Sequence, residues 1–451
     1  MQITDAHSSG HTPVSGPHER RDTAPTADGP ARPDRGFERS WVISLFGTAV
    51  GAGVLFLPIN AGLGGVWPLL IATVLIGPMT YFSHRALSRF VCADPKPGED
   101  ITAVARRAFG PGAGAAITIL YFFAVYPIVL IYGVSITNTV ESLLVNQLEI
   151  PAPPRALLSF VLIGLMMAVM LTGQKLMLRI TSLLVYPLIA ILFAMSVYLI
   201  PSWDVGALFG SQTPELGQIL MSVWLVIPVL VFAFNHSPAI SQFSLAMKRH
   251  YAGQAATRAS HVLVRTTALL VVFTMFFVWS CVLALGADGM AEAKAANLPV
   301  LSYLANVHDA PVIALLGPIV AILAIISSFF GHYLGAAEGA AGIVRSLVDR
   351  DGSKISDKAL NAAIAAFIFL TTWVVAIVNP QVLTLIETIA GPIIAVILYL
   401  MPMYAMHRLE ALAPYRRQAS NVFVVIAGLV AVSGIVYGVV QTLTAVSYTH
   451  L

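Results

Sequence analysis

Gly47-Thr-Ala-Val-Gly51-Ala-Gly53 lies in the middle of an apolar run from Trp41 to Leu63. Each of its three glycines weakens a helix, inside a segment that lipid would otherwise force to satisfy its own backbone hydrogen bonds. Backbone released at membrane depth is tolerated only where protein or a water-filled cavity receives it. The run therefore reads as two half-helices meeting at a binding site, which points to transport rather than a plain anchor. The alternative is that Gly47-xxx-Gly51 is only a packing face for a neighbouring helix. Pro58 and a second break further along favour unwinding.

The surrounding composition places this segment in a polytopic, all-α membrane protein. Of 451 residues, 57% are hydrophobic and 10% charged, against roughly 25% charged in a soluble domain. Residues 1–36 are polar, with no apolar core, and read as a disordered cytoplasmic tail rather than a signal peptide. The net charge of +3 is too small and dispersed to suggest nucleic acid. Cys92 and Cys281 offer neither a pairing nor CxxC-type metal spacing, and no metal or cofactor is expected.

Apolar stretches near the required ~20 residues begin at about 41, 66, 113, 155, 178, 218, 262, 311, 359, 381 and 420, which predicts eleven spans. With the tail cytoplasmic, 23 of the 25 Lys and Arg fall on the inner side, Arg155 and Lys294 being the exceptions. This bias predicts an inside amino terminus and an outside carboxy terminus. The sixth span is broken as well, at Phe234-Asn-His-Ser-Pro238, where Pro238 cannot continue the ladder and Ser237 suits a helix start. Breaks in spans one and six imply two five-span units, and an odd number per unit inverts the second. The expected divisions are 37–200 for the first repeat, 201–407 for the second, and 408–451 for the eleventh helix and the end.

A broken helix presents bare carbonyls on one half and bare N–H groups on the next. An amino-acid zwitterion matches those poles without a charged side chain. Thr48, Ala49, Gly51, Ala52 and Gly53, with Phe234, Asn235, His236 and Ser237, are the expected substrate contacts. Gly47, Gly51 and Gly53 would let a carboxylate approach N–H groups at the start of the Val54 half-helix. Span three offers Tyr132, Ser135, Asn138, Thr139 and Ser142 on overlapping faces as path lining, or as hydroxyls bonded to their own backbone. Ser135 is added to the substrate set, because it or the Asn235 amide would read a substrate hydroxyl.

Ionisable groups inside spans mark candidate ion or proton pathways. Span eight carries Ser327, Ser328, His332 and Glu338, and span ten carries Glu387. Each has a plainer reading: Glu338 paired with Arg345, His332 donating to a carbonyl, Glu387 solvated near the outer face. Tyr81-Phe-Ser-His84-Arg85 reads as an interfacial belt with no chemistry.

These residues resemble the bacterial hydroxy and aromatic amino acid permeases of the amino acid/polyamine/organocation superfamily. The likeness runs from about Trp41 to Tyr437. It includes Gly47 to Pro58, His84-Arg-Ala-Leu-Ser-Arg-Phe90, Lys96-Pro-Gly-Glu-Asp-Ile-Thr102, Thr137-Asn-Thr-Val-Glu-Ser142, Phe234 to Pro238 and Ser302-Tyr-Leu-Ala-Asn306. Phe330-Gly-His-Tyr-Leu-Gly335, Gly391-Pro-Ile-Ile-Ala395 and Met401-Pro-Met-Tyr-Ala405 complete it. The resemblance implies an eleven-span inner-membrane permease with an inverted repeat, taking up serine by proton symport. One departure is Ser327, where the family pattern often has a lysine; paired with Ser328 it suits a hard cation and keeps sodium coupling open. Threonine or an aromatic amino acid is the nearest rival substrate. HExxH, GxSxG and GxxxxGK are missing from the chain, so an intramembrane enzyme is not expected. A sensor usually needs a soluble output module larger than residues 1–36, and a channel would show uncoupled downhill flux.

Overall fold

The computed structural model of the protein describes residues 33–94, 100–171, 174–206, 214–307, 311–349 and 354–449. The expected tail over 1–32 and residues 95–99 of the Lys96 block lie outside them. Among the described residues every element is helical. The helices are α1 (Arg35–Ala49), α2 (Ala52–Leu63), α3 (Val66–Cys92), α4 (Ile101–Ser142), α5 (Arg155–Leu171), α6 (Gln174–Tyr198) and α7 (Leu216–Ala233). They continue with α8 (Ser237–Tyr251), α9 (Ala255–Ala295), α10 (Val300–Val307), α11 (Pro311–Leu347), α12 (Asp357–Val378), α13 (Val382–Arg408) and α14 (Ala419–Thr449).

Each of the eleven expected span starts falls within a residue of one of these helices. Among the described residues eight helices are long and apolar enough to cross a membrane, and α1 with α2, bent by 56° at their junction, makes a ninth. Arg155–Met170 and Ala419–Gly434 are shorter apolar helices. Helix α1 begins two residues inside the segment read as tail, because the Asp34 carboxylate accepts the Phe37 N–H at 3.0 Å and caps it. Asp100 does the same for α4 through the Ala103 N–H at 2.8 Å. Gly110, with φ of +83°, lets α4 turn just before Pro111, so a short helical segment before the kink runs into the longer one after it. Helix α12 stops at Asn379, left-handed at φ +54°, followed by a proline that cannot continue it.

The two ends of the bundle are held by buried polar groups. At the arginine-rich end Glu38 of α1 is 1% exposed and meets Arg265 of α9 at 2.8 Å, Arg258 at 3.8 Å and the Tyr251 hydroxyl at 3.3 Å. Replacing Glu38 with Gln leaves the two guanidiniums without their carboxylate; because Arg265 reaches water, the expected loss is about 2 kcal/mol, read as a lower thermal unfolding midpoint in detergent. At the opposite end the Asn297 side chain donates to Asn379 Oδ1 (3.1 Å) and the Pro380 carbonyl (3.0 Å) and accepts the Val382 N–H (2.9 Å). Asn138 of α4 donates to the Asn297 carbonyl and accepts from Arg155. This network ties α4, α5 and the end of α9 to the α12–α13 turn.

Candidate functional site

Both expected breaks are present, and they abut. Helix α1 ends at Ala49 and is capped by the extended Val50, whose N–H reaches the Phe46 carbonyl. Gly51 is extended and starts α2 with no side-chain cap, so the first N–H groups of α2 are bare of side-chain acceptors. Helix α7 stops at Phe234 and α8 restarts at Ser237. A Cβ built on Gly53 would lie 2.6 Å from the Phe232 ring and 2.7 Å from the Ala233 Cα, so the start of α2 is pressed against the end of α7. Four helix ends, two with carbonyl poles and two with amide poles, thus meet in one buried place. Thr48, Ala49, Ala52, Phe234, Asn235, His236 and Ser237 are all buried there.

The second break is capped differently from expectation. Ser237 is the first residue of α8 rather than its cap; the Asn235 Oδ1 accepts the Ser237 N–H at 3.0 Å, and the residue at the cap position is His236. Asn235 precedes the helix by two residues and reaches forward, which places its Nδ2 in the break without a partner. The His236 N–H donates to His84 Nε2 at 3.1 Å, and the two imidazoles stack with centroids 3.6 Å apart and planes 9° apart. His84, assigned no chemistry from sequence, is therefore part of the site. The signal that marks it is helical spacing: Thr80, His84 and Ser88 recur every four residues and are all buried, whereas Arg85 and Arg89 point to Gln418.

Helix α11 closes the site against the first break. Ser328 Oγ donates to the Thr48 carbonyl at 2.8 Å and lies 2.6 Å from the Tyr132 hydroxyl of α4. His332 Nδ1 sits 2.9 Å from the Ser328 carbonyl, one turn back on its own helix, and its ring meets Tyr132 edge-on. Ser327 bonds its own helix at Ala324. Gly331 packs on Thr48, and Gly335 on Pro238 and Tyr121. Of the expected ion-pathway residues, Ser328 and His332 therefore border the first break, while Glu338 faces Ser241 of α8 at 3.5 Å and Glu387 accepts from Asn60 of α2 at 2.6 Å. Arg345 pairs with Asp349 and Asp357 rather than Glu338. On α4, Ser135 and Thr139 are buried with no hydrogen-bond partner, whereas Thr137 bonds the Gly133 carbonyl and Asn138 serves the network above. Among the described residues no group of three or more His, Cys, Asp or Glu is arranged to hold a metal ion.

A bundle of apolar helices with two abutting breaks is the architecture of a secondary transporter. The tryptophan/tyrosine permease family model matches residues 40–444, and the chain belongs to that family. It is 49% identical over 401 residues to the serine transporter SdaC of Escherichia coli (strain K12), covering 88% of this chain and 94% of that one. It is 44% identical over 425 residues to the threonine/serine transporter TdcC of Escherichia fergusonii, covering 89% and 95%. In fold it is similar to MhsT in complex with L-phenylalanine, with a TM-score of 0.56 at 15% identity over 87% of this chain and 98% of that one. It is also similar in fold to a manganese transporter of Eremococcus coleocola, with a TM-score of 0.60 at 14% identity over 88% and 85%. The protein is an amino acid permease with multiple membrane-spanning helices, and not an enzyme.

Proposed function

We propose that the protein imports L-serine across the bacterial inner membrane by proton symport, with alternating access. The observation that carries the reading is the meeting of four helix ends at Gly51–Gly53 and Phe234–Ser237, whose opposite poles match a zwitterion while Asn235 Nδ2 and Ser135 Oγ wait unpartnered for a hydroxyl. The relatives named for serine support the same substrate. In this reading α1 to α6 and α7 to α13 are inverted repeats, the amino terminus is cytoplasmic, and α1–α2, α3, α7–α8 and α9 rock against the remaining helices.

Threonine is the second substrate reading, favoured by the likeness to a threonine/serine transporter. Sodium is the second coupling ion, favoured by the oxygen pair of Ser328 Oγ and the Thr48 carbonyl. Proteoliposomes given an inward pH gradient without sodium are expected to accumulate labelled serine, with threonine competing better than tryptophan. Accumulation driven by a sodium gradient alone would replace the proton with sodium.

A further inference from the structure

The four ring nitrogens of the stacked His84–His236 pair are unequally engaged. His84 Nε2 accepts a backbone N–H, so it carries no hydrogen of its own. The hydrogen of neutral His84 is then on Nδ1, 2.8 Å from the Thr80 carbonyl, which it meets as a donor. His236 Nδ1 faces the Phe234 carbonyl at 3.1 Å, and two acceptors cannot share that distance, so Nδ1 carries the hydrogen there as well. What remains is His236 Nε2, a lone pair with no partner on a ring that is 0% exposed. A buried acceptor left bare calls for a reason.

The geometry points to His236 Nε2 as the proton-binding atom of the transporter, with His84 as the positioning residue that holds the ring and limits the pair to one proton. The inference rests on the symport reading above and names its coupling site. A proton added at Nε2 disturbs none of the other three hydrogen bonds and makes the ring a cation at the junction of the helix breaks. Two cations in parallel rings 3.6 Å apart would repel strongly in a buried site, so a second proton is refused. Among the described residues the groups that meet the pair carry no charge of their own: Thr80 and Ser83 of α3, the Phe234 carbonyl, and Tyr399 of α13, which reaches Ser83. Glu338 of α11 approaches α8 a turn away, at Ser241. A cation at the break favours the substrate carboxylate in the same place, and by reciprocity the carboxylate favours the proton, which is the thermodynamic requirement of symport.

The test pairs two measurements on the full chain. Nitrogen NMR of labelled histidine in lipid nanodiscs, from about pH 8 to about pH 4 across the ordinary imidazole range, is assigned with His84→Gln and His236→Gln. Serine accumulation is followed in proteoliposomes under an imposed pH gradient. The expected result is one proton per pair, seen as His236 Nε2 passing from bare to protonated while both His84 nitrogens keep their neutral signals. Accumulation above equilibrium is expected to be lost in His236→Gln, and His84→Gln, which frees the second ring, is expected to move the pH at which His236 titrates. Protonation of His84 instead, two protons on the pair, or an untitrated pair across the pH range in which wild-type accumulation responds overturns the inference and leaves symport standing. Wild-type protein indifferent to the pH gradient overturns the symport reading itself.

Discussion

Gly51→Val is expected to abolish serine uptake while the protein still inserts and folds. A Cβ at this position would lie 2.5 Å from Ser328 Cβ, 2.6 Å from Ser328 Oγ and 2.8 Å from the Tyr132 hydroxyl. Valine adds two further methyls on a side chain with little rotamer freedom. The backbone itself is no obstacle, because Gly51 is extended at φ −149°. The cost is therefore steric, and it falls on the hydrogen bonds by which Ser328 links the Thr48 carbonyl to Tyr132. Overpacking of this kind costs about 1–3 kcal/mol, which a bundle of this size survives. The displacement, however, occurs where the proposed reading has substrate approach bare N–H groups, and a shift of about 1 Å at a positioning contact is enough to remove most activity. Initial uptake rates normalised to membrane-inserted protein provide the measurement. Gly112→Ala, where an added Cβ meets nothing within 4 Å, serves as the control and keeps uptake. Normal uptake by Gly51→Val would sink the site.

The two breaks were legible because each is a local contradiction: glycines or a proline-bounded polar cluster where lipid demands an unbroken apolar helix. Span positions were legible for the same reason of solvent, since ~20 apolar residues are rare for any other purpose. Side-chain partners were harder to read. His84 next to Arg85 looks like an interface anchor in one dimension, and only the packing of α3 against α8 turns it inward to meet His236. Ser327 and Ser328 are equivalent by composition, yet helix phase gives Ser328 to the Thr48 carbonyl and turns Ser327 back on its own helix. Asn235 rather than Ser237 prepares the start of α8, because three residues, Phe234 to His236, separate the two helices and the amide side chain reaches forward to the Ser237 N–H. Glu38 is a buried ion-pair centre only through contacts more than 200 residues away in sequence, which no local pattern marks.

In the proposed reading Asn235 carries two separable tasks, and substitutions that divide them are expected to have the largest effect on selectivity. Its Oδ1 caps the Ser237 N–H at 3.0 Å, which fixes the amide orientation and leaves Nδ2 as a donor aimed into the break with no acceptor. Asn235→Asp keeps an oxygen for the Ser237 N–H, at the amino-terminal start of α8 where negative charge is favoured, and removes the donor. Uptake competition by unlabelled alanine against labelled serine is then expected to strengthen relative to serine by about 10–100-fold, the worth of one buried hydrogen bond to a substrate hydroxyl. Asn235→Leu removes both tasks and is expected to lose a further ~1 kcal/mol of stability with the cap. The ratio of half-inhibiting concentrations separates the two, because a merely structural role lowers uptake of every substrate alike and leaves that ratio fixed. An unchanged ratio in Asn235→Asp transfers hydroxyl reading to Ser135, whose Oγ is equally buried and unpartnered. Ser135→Ala must then weaken serine against alanine by the same factor, and if neither variant moves the ratio, recognition of the serine hydroxyl does not lie at this junction.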